Sequence, residues 1–320
     1  MVRDWELSPA DLRVAAAAAA AGPDIASDAV RRRLRGGALE TMTPLELPYE
    51  WDDLIVAERI SDELRRLRNQ VLLSTDVLDG WEFRRLFPTA TGTTALFAGP
   101  SGTGKTMAAQ VLARSLGLDL YRVDLAEVVN KYIGETEKRL AAVFAECERS
   151  NVMVLFDEAD ALFGQRTRVR DAHDRYANIE IDYLLQRLDT FGGVAILATN
   201  RKSDLDPAFL RRLRLIVDFV APAAGERLRL WRNALPELTS TGRPLTADLD
   251  RDWLAANLEL TGAEITSIAL AAAFEACEAG ELIETTHVLR ASRRELDKRG
   301  TVLRLEPPLS QQRVGGEVPA

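Results

Sequence analysis

Residues 99–106 read Gly-Pro-Ser-Gly-Thr-Gly-Lys-Thr and meet the spacing GxxxxGK[ST] at every fixed position. Each residue type has a chemical reason. Gly99, Gly102 and Gly104 let the backbone turn tightly, so that successive N–H groups converge on phosphate oxygens. Lys105 brings a point charge to the β- and γ-phosphates, and Thr106 offers a hydroxyl to Mg²⁺. The whole loop, with Pro100, Ser101, Thr103 and the following Met107, is assigned to nucleotide binding. Such a loop needs a strand before it and a helix after it. Thr94–Ala98 is a short apolar run, and Met107–Leu116 has helical spacing that puts a helix N-terminus at the phosphates. The pattern points to a bound nucleoside triphosphate.

Hydrolysis needs a metal ligand and a group that polarises water. Val152–Phe156 is a continuous apolar run, as expected of a parallel strand buried on both faces, and it ends in Asp157 and Glu158. At the carboxyl end of such a strand Asp157 can hold Mg²⁺ through its water shell. Glu158, one residue on, can polarise the attacking water. Residues 157–160 also spell a box that names a helicase class. Those enzymes carry a second nucleotide-sandwiching domain, whereas the residues after 221 read as helices.

Composition sets the bounds. The 320 residues contain 47% hydrophobic side chains, enough for a substantial core, and carry a net charge of −8. That balance argues against a chain that coats nucleic acid. Cys147 and Cys277 sit on apolar helical faces without disulfide or metal spacing, and read as buried thiols of a reducing compartment. His173 and His287 lack neighbouring ligands. No stretch reaches transmembrane length, and the alanine run 15–21 follows acidic residues, the wrong charge pattern for a signal peptide. The expectation is a cytoplasmic protein with no membrane contact.

Four segments emerge. Residues 1–48 hold an Ala-rich helix that opens at Ser8-Pro9, a second short helix, and a joint at 43–48; they read equally as an adaptor or linker and as a loosely packed remnant. Residues 49–221 alternate strand-like runs with amphipathic helices, the signature of a P-loop α/β core with a five-stranded parallel sheet. Glu135–Arg149 shows the pattern, with Leu140, Val143, Phe144 and Cys147 on one face. Residues 222–300 carry apolar stripes at helical spacing throughout and read as a small all-α lid domain. Residues 301–320 read as a disordered tail.

Several further segments resemble the classical AAA family of ring-forming ATPases, in order, over about residues 49–280. Ala195–Asn200 resembles the family's sensor-1 strand, which implies that Asn200 orients the attacking water. Leu205–Arg214 is similar to the segment that carries arginine fingers, at matching spacing for Arg211 and Arg214. Lys131, Tyr132, Ile133 and Gly134 resemble the first pore loop, in which an aromatic residue grips substrate; Tyr132 could instead pack under the sheet. Thr261–Ile265 resembles the lid motif that lays Gly262 and Ala263 against the nucleotide. Tyr49–Val56 stands where the family has its adenine-contacting strand, which implicates Leu54 and Ile55. The family usually has Gly-Gly where Ile55 and Val56 stand, and a different run follows Arg211, so Arg211 matches the finger better than Arg214.

The resemblance implies ATP and Mg²⁺ as cofactors, a homo-hexamer, and a protein substrate that is remodelled, assembled or disassembled. Residues 160–188 also resemble bacterial AAA ATPases encoded beside phage-tail-like contractile injection systems, whose components would then be the partners. Within that run Arg166–Tyr176 reads either as a second pore loop or as a solvated surface loop. Two alternatives stand beside the threading machine. One is a nucleotide-gated assembly scaffold, and the other a DNA-handling AAA+ ATPase, which the acidic charge disfavours.

Overall fold

The computed structural model describes residues 42–87, 92–125, 135–160, 183–205, 210–211, 213–298 and 300. The N-terminal segment 1–41, the Lys131–Gly134 stretch, the Arg166–Tyr176 run and the tail 301–320 lie outside the described residues. The chain divides into two compact units. One runs through Leu54, Arg59–Gly99 and Lys105–Phe219. The other takes Ile55–Glu58, Pro100–Gly104 and everything from Val220.

The first unit is built on a six-stranded sheet. Its strands are β1 (Thr43–Leu45), β2 (Thr93–Ala98), β3 (Leu120–Asp124), β4 (Met153–Asp157), β5 (Val194–Thr199) and β6 (Leu215–Asp218), in the order β1-β3-β4-β5-β2-β6. Strands β2 to β6 pair in parallel, as the apolar runs predict. Every residue of β2 and β5 is buried, which suits strands covered on both faces.

The sixth strand differs from expectation. Thr43–Leu45 pairs antiparallel with β3, in the stretch that sequence marks as a joint. Three residues with a proline in the middle give no strand-length apolar signal. An edge strand tolerates that proline because one side of it makes no ladder bonds. Tyr49–Val56, by contrast, forms no strand. It is a turn, with Asp53 N–H donating to Glu50 O and Leu54 N–H to Trp51 O, followed by extended loop.

Helices α1 (Glu58–Leu72), α2 (Lys105–Leu116) and α3 (Glu135–Ser150) accompany the sheet, α2 against β3 and β5 and α3 in one core with β4 and β5. In α1 Ile60, Leu64 and Leu67 recur at helical spacing and are buried. Leu140, Val143, Phe144 and Cys147 of α3 face the core as their spacing predicts. Phe144 packs against Phe156 and Phe191 with ring centroids 5.4 and 5.2 Å apart, and the guanidinium of Arg187 lies 5.6 Å from its centroid.

The second unit contains α4 (Ala224–Ala234), α5 (Arg251–Asn257), α6 (Gly262–Ala279) and α7 (Thr285–Asp297). Its core gathers Trp231, Leu254, Ile265, Ile268 and Val288. Arg227 is buried there, donating to Ala255 O at 2.8 Å and Pro222 O at 2.7 Å, so its charge is met by carbonyl dipoles. Helix α6 is closed at both ends. Thr261 and Glu264 form a reciprocal cap at its start, and Gly280 takes the left-handed conformation past its end at φ 71°.

The two thiols part company. Cys147 is buried, and burial pushes its pKa up to about 12. Cys277 is exposed, against the expectation from sequence, because α6 is apolar on both faces and Cys277 lies on the outer one. Among the described residues no helix is long and apolar enough to cross a membrane.

The Phe144 cluster yields a stability prediction. Phe144→Ala deletes the ring shared by α3, β4 and the Phe191 turn, and large-to-small aromatic changes in cores cost about 3–5 kcal/mol. Urea unfolding of the full chain, followed by far-UV circular dichroism, should show a loss of that size. A loss under about 1 kcal/mol would mean the cluster is not integral to the core.

Candidate functional site

Strand register sets the geometry of the site. Residues Ala98 and Thr199 pair across β2 and β5, and Phe156 pairs with Leu197 across β4 and β5. The next residues out, Gly99, Asn200 and the Asp157–Glu158 pair, therefore emerge together at the carboxyl ends of the parallel strands. That edge is where open α/β sheets bind ligands.

Lys105 is the hub of this edge. Its Nζ donates to Gly99 O at 2.6 Å and to Asn200 Oδ1 at 2.9 Å. Burial pulls its pKa down, and the carboxylates of Asp157 and Asp160 partly oppose that pull. Two residues placed far apart in sequence, Lys105 and Asn200, thus meet directly.

Asp157 is held at both oxygens. Its Oδ1 accepts the Glu158 backbone N–H at 3.0 Å, and its Oδ2 lies 3.1 Å from Arg122 Nε in an ion pair. Glu158 adopts a left-handed backbone at φ 54° and its side chain is exposed. A non-glycine residue in that region costs on the order of 1–3 kcal/mol and is found where surrounding structure enforces it. Here the Ala159 N–H bond to Ala198 O, at 2.9 Å, ties the next residue to β5.

The phosphate loop explains its own glycines. Gly99, Gly102 and Gly104 have φ of 145°, 78° and 99°. A Cβ on Gly99 would collide with the carbonyl oxygen of Phe219. Within the helical unit, a Cβ on Gly102 would sit 2.7 Å from Thr261 Oγ1 and 3.0 Å from Ala263 Cβ. Ala263 N–H donates to Gly102 O at 3.2 Å, and Gly262 packs near the same carbonyl. The Gly262–Ala263 pair therefore lies against Gly102. Thr103 Oγ1 is spent within the loop, donating to Pro100 O at 2.8 Å, while Ser101 and Thr106 are exposed and Met107 is half-buried.

The donor set suits Mg²⁺. Among the described residues no three His, Cys, Asp or Glu side chains cluster as a protein-only metal cage. A hard cation here would take oxygen from Asp157 and Thr106 and complete its shell with water and phosphate, the usual manner of Mg²⁺.

The remaining candidates fall elsewhere. Arg211 is exposed, and partial burial pulls the pKa of Arg214 down just before β6. Leu54 and Ile55 are buried but belong to different units. Sequence alone assigns no role to Arg122 or Thr199. Thr199 Oγ1 lies 3.4 Å from Asp160 Oδ1 and accepts the Arg201 N–H at 3.1 Å. One signal existed for Arg122: a lone arginine inside the apolar run Leu120–Val123, where a charge needs a partner.

Two glycines give a matched test. Gly102→Ala should weaken nucleotide binding at least tenfold by calorimetry, because the added methyl meets Thr261 and Ala263. Gly117→Ala has φ 66° but nothing within 4 Å, so it should cost only about 1 kcal/mol of stability and leave binding intact. Equal binding by both variants would remove the steric account of Gly102.

Comparison with known proteins agrees with this geometry. Residues 95–221 match the family model described as "ATPase family associated with various cellular activities (AAA)". The chain is 30% identical over 262 residues to the ATP-dependent zinc metalloprotease FtsH 3 of Sphaerobacter thermophilus, covering 78% of this chain and 50% of that protein. It is 30% identical over 214 residues to a probable 26S proteasome regulatory subunit 6B of Caenorhabditis elegans, covering 64% and 50%. To the proteasome-activating nucleotidase of Methanococcus vannielii it is 38% identical over 144 residues, covering 43% and 35%. The chain spans half the length, or less, of these curated relatives. Phosphate loop, parallel sheet and family model coincide: residues 95–221 are an AAA ATPase domain on a phosphate-loop NTPase core.

Proposed function

We propose that this chain hydrolyses ATP with Mg²⁺ and uses the energy to remodel a protein complex, acting as a homo-hexameric ring. The observation that carries the reading is the convergence of Lys105, Asn200, Asp157 and Glu158 at one edge of the sheet. In this reading Lys105 and the loop N–H groups hold the triphosphate, and Thr106 with Asp157 holds the cation. Glu158 polarises the attacking water, and Asn200, already bonded to Lys105, orients it. Leu54 and Ile55 supply apolar contacts to adenine, and Gly262 with Ala263 reports the state of the loop to the helical unit.

Arg211 is exposed, and its segment resembles the one that carries arginine fingers. We therefore assign it, with Arg214 as a weaker second, to a neighbouring copy's phosphates. A protein substrate is supported by relatives named as a zinc metalloprotease and as proteasome subunits. Lys131, Tyr132, Ile133 and Gly134 then form the loop that grips it. A contractile injection particle as that substrate rests on the resemblance of residues 160–188 alone.

Hydrolysis is tested at Glu158. Glu158→Gln should keep ATP binding while turnover falls by about 10²–10⁴-fold, the range of positioned acid–base groups. Lys105→Ala should abolish binding itself. Near-normal phosphate release by the Glu158 variant would remove it from this role.

Tyr132 separates threading from scaffolding. It touches no phosphate in this reading, so Tyr132→Ala should leave ATP turnover within about threefold of the parent, less than half of one tenfold step in barrier. Unfolding or disassembly of a bound protein should be lost. Intact remodelling with normal turnover would favour the scaffold.

A further inference from the structure

Arg122 is a charge that the packing of its strand does not call for. Tyr121 and Val123 of β3 turn into one core with Val154 and Phe156 of β4. Arg122 and Asp124 therefore turn to the opposite face, together with Leu155 and Asp157, their partners in the parallel register. Asp124 and Asp157 thus stand directly across from each other, and like charges so placed repel. Arg122 lies one step back on the same face and reaches diagonally, with Nε 3.1 Å from Asp157 Oδ2.

This contact is not an ordinary surface pair. The Nε atom is buried, and among the described residues no acceptor is aligned with its N–H. The side chain as a whole is nevertheless 40% exposed, against 21% for Asp157. Ion pairs that reach solvent add little to stability. A buried donor without an aligned acceptor subtracts from it. Stability therefore gives a poor account of Arg122. Position gives a better one, because the other oxygen of the same carboxylate accepts the Glu158 N–H at 3.0 Å. Whatever orients Asp157 also bears on the left-handed turn at Glu158.

We propose that Arg122 is a positioning residue for ATP hydrolysis: it orients Asp157 toward the cation and, through the Asp157–Glu158 bond, the segment that carries Glu158. This deepens the reading of the site given above and rests on it. Arg122 touches neither the attacking water nor phosphate in this role. At 3.1 Å the Asp157 carboxylate has only to turn, not to travel, to accept the Nε proton. Each Asp157 oxygen then gives one lone pair to the protein and keeps one for water in the shell of Mg²⁺. Arg122 and the Glu158 amide together leave the carboxylate a single orientation.

Two substitutions in the full chain separate orientation from packing and from charge. Arg122→Met keeps the length of the side chain without a donor. Arg122→Gln sets a neutral N–H on the atom after Cδ, where Nε stands. Arg122→Met should lower kcat about 10–100-fold, the range for groups that hold a metal's carboxylate, with ATP affinity in EDTA unchanged. Arg122→Gln should recover most of that loss. Calorimetry supplies a readout free of turnover: on the Glu158→Gln background, Arg122→Met should shrink the gain in ATP affinity on adding Mg²⁺ at least ~threefold. Groups that act as one unit are not additive, so at saturating Mg²⁺ Arg122→Met should cost this background far less residual turnover than it costs the parent. Parent-like turnover in the Met variant would overturn the proposal. Equal losses in the Met and Gln variants would overturn it too, since charge rather than orientation would be the cause. So would an unchanged Mg²⁺ effect, a full additional loss on the Glu158→Gln background, or failure of the Gln variant to bind ATP in EDTA. Near-normal turnover by Glu158→Gln alone would sink the reading of the site, whereas an inactive Glu158 variant beside unaffected Arg122 variants sinks only this role.

Discussion

Everything at the candidate site depends on one alignment, the parallel register of β4, β5 and β2. Parallel pairing places Phe156 beside Leu197 and Ala98 beside Thr199, so three chain segments leave the sheet at one level. Hydrophobic packing of those strands therefore does electrostatic work. It brings an ammonium, an amide and two carboxylates together in a place where burial already disfavours the free ammonium. The hydrogen bond from Lys105 to Asn200 is the visible result. A shift of one residue in any of the three strands would send the alternate set of side chains to this edge.

The sheet and the loop were legible because their signals are local. A five-residue apolar run that ends in a glycine loop or a carboxylate is hard to place anywhere but in a buried strand, and β2, β4 and β5 lie where those runs fall. The helix α3 was legible for the same reason, through Leu140, Val143, Phe144 and Cys147. The misses share a physical cause: tertiary partners supplied what the sequence lacked. Thr43–Leu45 becomes a strand only because β3 offers its free edge. Tyr49–Val56, likened to a strand by family position alone, is held in a turn by the Glu50–Asp53 and Trp51–Leu54 bonds. Cys277 looked buried because its helix carries apolar residues on two faces, and periodicity cannot say which of them is covered.

The site was legible by residue type and illegible by partner. Asp157 and Glu158 are read from their place after a buried strand, whereas the hold of Arg122 on Asp157 requires knowing that β3 lies beside β4. Likewise the left-handed backbone of Glu158 has no sequence mark. It follows from fastening Ala159 to β5 immediately after β4 has ended. Such constraints set the orientation of a carboxylate without appearing in any motif.

The packing around Gly99 and Gly102 changes how the phosphate-loop motif should be weighed in related chains. Both glycines are demanded by protein atoms, the Phe219 carbonyl and the Thr261–Ala263 segment, whether or not a nucleotide is ever bound. A descendant that had lost its ligand would still be under pressure to keep them, because their replacement strains the fold. Lys105 is different: burial works against its charged form and pulls its pKa down even with its bonds to Gly99 O and Asn200 Oδ1, which stability alone does not favour. Among degenerate copies of this domain, retention of the glycines records ancestry. Retention of the lysine records use.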